Sequence, residues 1–288
     1  MAFRKRREAL RSILSGSACT RPGSVYDAAS IRIAEELGFE LGMFGGSVAS
    51  LAVLGDPDIA LITLTELAEQ MRRMSRAASL PVLVDADHGY GNALNVRRTV
   101  QELEAAGAAG LTIEDTLLPQ AYGQAKTQLI SLQEAIGKMK AALDGRGDLS
   151  LVIMGRTGAA SVTSIEDAIA RARAYEAVGV DALFFTGVKT PGELDAIAAA
   201  TTLPIVLGGA PEEMTDPGYL ASQRVRIALQ GHAPFAAATQ AVYETLKALR
   251  EGTSPKNLKG LASSDLTARV MREADVKARS SEFLGLRK

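Results

Sequence analysis

From residue 22 the chain repeats one phrase: an unbroken apolar, β-branched run, then a polar or glycine-rich turn, then alanine, leucine and charged residues at helical spacing. The unbroken runs predict strands at 22–25, 40–46, 81–87, 109–115, 150–156, 181–187, 204–209 and 225–231. Helical stretches fall between and after them at 27–38, 65–79, 93–106, 131–144, 164–178, 191–200 and 233–250. Gly107 and Gly179 stand just beyond two of these, where helices often end in a left-handed residue.

Strands that lack apolar/polar alternation are buried on both faces, as in parallel sheets covered by helical crossovers. Eight such units in succession predict an α/β fold, a closed (β/α)8 TIM-type barrel. An open doubly wound sheet with a second domain is the competing architecture, because alternation alone does not report closure. The 288 residues allow two domains of ~150 residues or one barrel of ~250. No Pro/Ser-rich linker interrupts 20–250, so one barrel is expected over residues 1–250, opened by an amphipathic N-terminal helix in MAFRKRREALRSIL. Residues 251–288 are expected to form a polar C-terminal helical extension used in subunit contacts.

Composition narrows the function class. With 32 Lys and Arg against 33 Asp and Glu, the net charge of −1 gives no electrostatic case for nucleic acid or another polyanion. The basic start meets Glu8 and Arg11 rather than an apolar run of ~7–15 residues, so no secretory signal is expected. No uncharged apolar stretch approaches the ~20 residues of a membrane span. Cys19 is the only cysteine, which excludes an intramolecular disulfide and a multi-cysteine metal site and fits a reducing, cytoplasmic location.

Catalytic groups of such barrels lie at the C-terminal strand ends, and the polar residues of this chain collect there. The second predicted strand runs out at Ser47, the third at Asp85, Asp87 and His88, and the fourth at Glu114 and Asp115. The fifth ends at Arg156 and Thr157, the sixth at Thr186, and the eighth at Gln230, Gly231 and His232.

Asp85, Asp87 and Glu114 put three carboxylates on adjacent strand ends, and period-2 alternation places 85 and 87 on one side of their strand. Three like charges call for a cation. Oxygen-only donors suit Mg2+ or Mn2+, whereas zinc usually recruits histidine or cysteine. The plainer alternative is that these acids pair with basic side chains or cap helices. Arg156 at the same mouth is suited to grip a carboxylate, or to pair with Asp87 or Glu114. His232 is placed to bind substrate or move a proton, or only to order its loop. His88, on a turn with Gly89 and Gly91, reads as structural. The glycine turns at 45–47 and 207–211 offer backbone N–H groups to an anionic oxygen.

The segments GFELGMFGGSVAS and PVLVDADHGYGNALNVRRTVQELEAAGAAGLTIED, with the Arg-Thr after the fifth strand, resemble the isocitrate lyase/phosphoenolpyruvate mutase superfamily over most of residues 25–250. DADHGYGN together with GGSVAS and GHAPF is most similar to its oxaloacetate decarboxylase branch. The resemblance implies a Mg2+-dependent enzyme, with Mn2+ as a substitute, that acts on a small α-keto acid through an enolate-like intermediate and converts oxaloacetate to pyruvate and CO2. It implies that Asp85 is the direct metal ligand, that Asp87 and Glu114 hold metal-bound waters, and that Ser47, Arg156 and His232 bind substrate and serve catalysis. It also implies a homotetramer, a dimer of dimers with C-terminal helices exchanged between subunits.

Lyases of the superfamily carry a cysteine-bearing motif after the fourth strand. Here that segment is TLLPQAYGQAKTQLIS, residues 116–131, without cysteine, which argues against the usual lyase reaction. This segment is expected to serve as a lid, with an ordinary long βα loop as the alternative. Phosphonopyruvate hydrolase or phosphoenolpyruvate mutase-like chemistry and methylisocitrate lyase-like chemistry are the alternatives within the superfamily. A non-catalytic metabolite-binding barrel is the alternative outside enzymes, favoured if Gly158, where relatives often carry a polar residue, and Gly208–Gly209 empty the site.

Overall fold

The computed structural model describes residues 3–286. Its strands are β1 (Gly23–Ser24), β2 (Gly42–Phe44), β3 (Val82–Asp85), β4 (Gly110–Glu114), β5 (Val152–Thr157), β6 (Ala182–Phe185), β7 (Ile205–Leu207) and β8 (Val225–Ala228). They form one parallel sheet in chain order, β1 to β8. Thr20, just ahead of β1, bridges Ile227 of β8, with Thr20 N–H donating to Arg226 O at 2.8 Å and Ala228 N–H donating to Thr20 O at 3.0 Å. That bridge joins the last strand to the first and closes the barrel, which decides against an open doubly wound sheet.

Helix boundaries follow local chemistry. Asn92 caps the helix Ala93–Ala106 by accepting from Leu94 N–H at 2.9 Å, and the helix stops at Gly107, whose φ of 97° is left-handed. The helix Ile165–Val178 ends the same way at Gly179. One helix departs from expectation: Gly46–Val53 begins where the strand pattern was still running. The mostly apolar sequence VASLAV is too short to show a period that separates a helix from a strand.

The N-terminal helix Arg4–Ser15 seals the N-terminal end of the barrel. Its Leu10 and Leu14 join the core cluster with Leu41, Met43, Leu83, Val152, Met154, Phe184, Val206 and Ile227 from the strands or their leads. Leu10 is fully buried, which contributes about 1.5–3 kcal/mol. Gly110 is required beneath it, since a Cβ there would stand 2.7 Å from Leu10 Cδ2. Arg7 clamps the helix by donating to Asp148 Oδ2 at 2.9 Å and to Glu104 O at 3.0 Å. With one end plugged, chemistry is left to the C-terminal end.

Among the described residues, those up to His232 form one compact unit and those from Ala233 onward a second. The division falls ahead of the boundary at 250 expected from the sequence, so the helix Ala233–Arg250 groups with the C-terminal helices Ser264–Val270 and Glu273–Leu284. Ala233–Arg250 carries no buried residue, although it is apolar enough to read as an ordinary barrel helix.

Candidate active site

Strand register assembles the acidic end of the barrel. Asp85, the last residue of β3, pairs with Thr112 of β4, and Glu114 at the end of β4 pairs with Arg156 of β5. Asp85 Oδ1 accepts from Thr112 Oγ1 at 3.1 Å and from the Asp87 N–H at 3.2 Å. Arg156 reaches across β4, donating through Nη1 to Asp85 Oδ2 and lying 3.2 Å from Glu114 Oε2 through Nη2. The arginine thus does pair with strand-end acids, though with Asp85 and Glu114 rather than Asp87. Burial works against its charge, but Asp85 and Glu114 more than offset this and keep it protonated.

Asp87 joins the group by a different route than strand alternation. β3 has ended, and Asp87 sits at φ 46°, a left-handed turn conformation. Its carboxylate lies against Gly46, where a Cβ would stand 2.5 Å from Oδ1. Gly46 and Ser47 open the helix Gly46–Val53, so Asp87 meets the positive end of that helix. Burial, then Asp85, Glu114 and Asp58, hold the Asp87 carboxyl well above the ordinary carboxylate range. Glu114, 8% exposed, is pushed up to about 6 by burial; Arg156 pulls it down and Asp85 pushes it up.

His232 arrives from the far side of the barrel. Its Nδ1 lies 2.8 Å from Ser24 Oγ at the end of β1, and its ring rests on Gly45, where a Cβ would stand 2.9 Å from Nε2. Burial lowers its pKa and Asp85 and Asp58 partly restore it, so the imidazole is neutral near pH 7. Ser24 and Asp58 are the two neighbours that sequence reasoning missed. Asp58, on the loop after Gly46–Val53, is exposed, yet partial desolvation and the Asp85 charge raise it while Arg156 and His232 lower it.

His88 is buried. Burial and then Lys138 push its pKa down to about 4, and its carbonyl accepts from Lys138 Nζ at 2.9 Å. Gly158 caps the short helix Ala159–Val162, and the space its side chain would take is limited by Thr186 Oγ1, 3.2 Å from a Cβ built there. Residues 116–131 form a loop whose base is tied by the Thr116–Leu129 bridge and by Ile130 N–H donating to Asp115 O at 2.9 Å.

Among the described residues, no three Asp, Glu, His or Cys side chains converge as a ready-made metal cage. The donor chemistry nevertheless fits Mg2+, which usually binds through one or two carboxylates and keeps several waters. Asp85, Asp87 and Glu114 are all oxygen donors, Asp87 and Glu114 hold protons more tightly than usual chiefly because they are buried, with neighbouring carboxylates adding to it, and Arg156 is the cation paired with Asp85 and Glu114.

A closed barrel with two buried acids, a partly buried third and one arginine gathered at its strand ends defines a (β/α)8-barrel enzyme. Residues 10–250 match the phosphoenolpyruvate phosphomutase family, and the chain belongs to it. The oxaloacetate decarboxylase of Bradyrhizobium sp. (strain ORS 278) is 81% identical over 286 residues, covering 99% of both chains. Among solved structures, oxaloacetate acetylhydrolase in complex with the inhibitor 3,3-difluorooxalacetate superimposes with a TM-score of 0.85 at 25% identity, over 99% of this chain and 98% of that one. Phosphonopyruvate hydrolase in complex with oxalate and Mg2+ gives 0.85 at 27% identity, over 97% and 99%.

Proposed function

We propose that this chain is a carboxy-lyase that cleaves the C3–C4 bond of oxaloacetate, releasing CO2 and leaving the bonding electron pair on pyruvate as its enolate. The observation that carries this reading is the 81% full-length identity to a protein named oxaloacetate decarboxylase, and the strand-end acids and arginine supply chemistry suited to it.

Asp85, Asp87 and Glu114 would hold the divalent cation, Mg2+ or in its place Mn2+. When bound, it supplies Lewis-acid stabilisation of the negative charge that develops at the ketone oxygen. Arg156 orients a substrate carboxylate. Ser47, second residue of its helix, adds a hydroxyl donor at a helix N-terminus, where developing negative charge is favoured. His232, held through Nδ1 by Ser24, presents its other edge for positioning substrate. Loop 116–131 excludes water while the enolate waits for its proton. Arg156, Ser47 and His232 accelerate the reaction only as far as they bind the enolate-like transition state more strongly than oxaloacetate.

Purified protein with Mg2+ is expected to form pyruvate and CO2 from oxaloacetate above the metal-only background, and Asp85→Ala to abolish the excess. Release of oxalate instead would indicate C2–C3 cleavage, and turnover of phosphonopyruvate or methylisocitrate in preference would reassign the substrate.

For assembly we propose a homotetramer, a dimer of dimers with exchanged C-terminal helices. Ala233–Arg250 leaves Val242, Tyr243, Leu246 and Leu249 exposed, and the barrel carries a cavity of about 580 Å3 whose lining mixes Met214, Leu220 and Leu229 with the polar Arg21, Thr215 and Gln230, a receptor for a helix of another copy. Light scattering is expected to give four chains, and a monomer would refute this. No described helix is long and apolar enough to cross a membrane, and with its lone Cys19 the protein is proposed to be cytoplasmic.

A further inference from the structure

We infer that Phe184 is a positioning residue for Arg156, its ring forming a floor that keeps the guanidinium in place while the anions in front of it exchange. This rests on Arg156 as the residue that orients the substrate carboxylate.

Register sets Phe184 of β6 directly beside Arg156 of β5, and the guanidinium carbon stands 5.2 Å from the ring centroid. The other flank of Arg156 faces β4 and the two acids, so the cation is bounded by carboxylates on one side and an aromatic ring on the other. Arg156 Nε has no hydrogen-bond partner among the described residues, so beyond its two ion pairs the guanidinium is held by the ring. Phe184 is 2% exposed, and a desolvated cation–π contact is stronger than an exposed one.

The ring is itself fixed by a glycine. A Cβ at Gly208, just beyond β7, would stand 2.7 Å from Phe184 Cε2 and 2.6 Å from Thr186 Cγ2. Gly208 looked in the sequence like a place where a substrate contact had been lost. In the fold it is the clearance that lets Phe184 lie under Arg156.

The floor answers a problem that the acids create. Asp85 and Glu114 compete with any substrate carboxylate for Arg156. An aromatic face attracts the cation without being an acceptor that must be released, so it holds Arg156 equally well before and after an exchange. An aliphatic side chain would fill the space without the attraction.

The test replaces Phe184 with phenylalanines carrying one, three and five ring fluorines, which withdraw electron density from the π face at nearly constant shape. Oxalate affinity in the presence of Mg2+ is measured by calorimetry, and KM and kcat are measured for oxaloacetate. The oxalate Kd and KM are expected to rise stepwise with fluorination, by about two- to tenfold across the series, while the Tm stays constant. Phe184→Leu should match the most fluorinated variant, and Gly208→Ala should raise KM by displacing an unaltered ring. A flat series in a wild-type background that binds oxalate overturns the inference. If the wild type binds oxalate with the same stepwise loss but releases no pyruvate, the floor stands and the decarboxylase reading falls. No oxalate binding by the wild type overturns both.

Discussion

Ser24 Oγ and His232 Nδ1 lie 2.8 Å apart, joining residues 208 positions distant across the seam where β1 meets β8. The contact fixes one edge of the imidazole, and Gly45 leaves just enough room for the other. Ser24→Ala is expected to lower kcat/KM about fivefold, the scale of one hydrogen bond, with little change in Tm. Gly45→Ala should cost more, because its Cβ would meet the ring at 2.8 Å. Steady-state rates corrected for the metal-only background check both, and an unchanged Ser24→Ala would remove His232 orientation from the mechanism.

Behind the site, Asp115 is fully buried and accepts from Tyr175 Oη at 2.6 Å and Arg171 Nη1 at 3.1 Å. Arg171 Nη2 also donates to Ile130 O at the end of loop 116–131. Arg171→Met strands a buried carboxylate and is expected to cost about 3–5 kcal/mol, whereas Tyr175→Phe removes one hydrogen bond to a charged group and should cost about 1.5–3 kcal/mol. Denaturant titrations measure both. Equal small losses would mean that neither contact to Asp115 contributes much to the fold.

Most of the eight strands were legible because they are largely apolar runs between turn residues, a signal that survives in single sequences, whereas β1, only Gly23–Ser24, has no apolar run of its own. Asp85, Glu114 and Arg156 were legible because the barrel fixes where strand ends must converge. Asp87 was found for an incorrect reason, since alternation stops with β3 and its carboxylate is brought in by a left-handed turn. Ser24 carried no signal at all: its role depends on closure between the first and last strands. Asp58 sits in an ordinary polar loop, and only the fold brings it into the field of Asp85. The role of Gly208 was hidden for a related reason, because clearance for Phe184 is a property of packing.

Burial raises Glu114 from 4.5 to about 6 in the folded chain. A carboxyl raised in this way contributes stability that is complete below its unfolded value and is lost as pH rises through the folded one. With chelator present, Tm should therefore fall between about pH 4.5 and pH 7, relative to a Glu114→Gln variant. Mg2+ favours the ionised form and should reverse that loss, so the Mg2+-induced gain in Tm is expected to be small near pH 5 and larger near pH 7.5. Thermal scans at several pH values check this. A gain independent of pH would show that Glu114 and Asp87 take no part in holding the cation.

The loop over 116–131 should report on site occupancy. Its base is fixed, with Leu117 N–H donating to Gln128 O at 2.8 Å beside the Thr116–Leu129 bridge, while Tyr122 and Lys126 at its tip are exposed. A loop tied at its base and free at its tip can fold over the strand ends without disturbing β4. Brief trypsin treatment is expected to cut after Lys126 in the free protein, and Mg2+ with oxalate to slow that cut severalfold while cuts elsewhere proceed unchanged. Mass spectrometry of the fragments locates the cleavage. If Mg2+ and oxalate bind by calorimetry yet leave cleavage at Lys126 as fast as before, the loop does not close over the site, and water exclusion must come from residues nearer the strand ends.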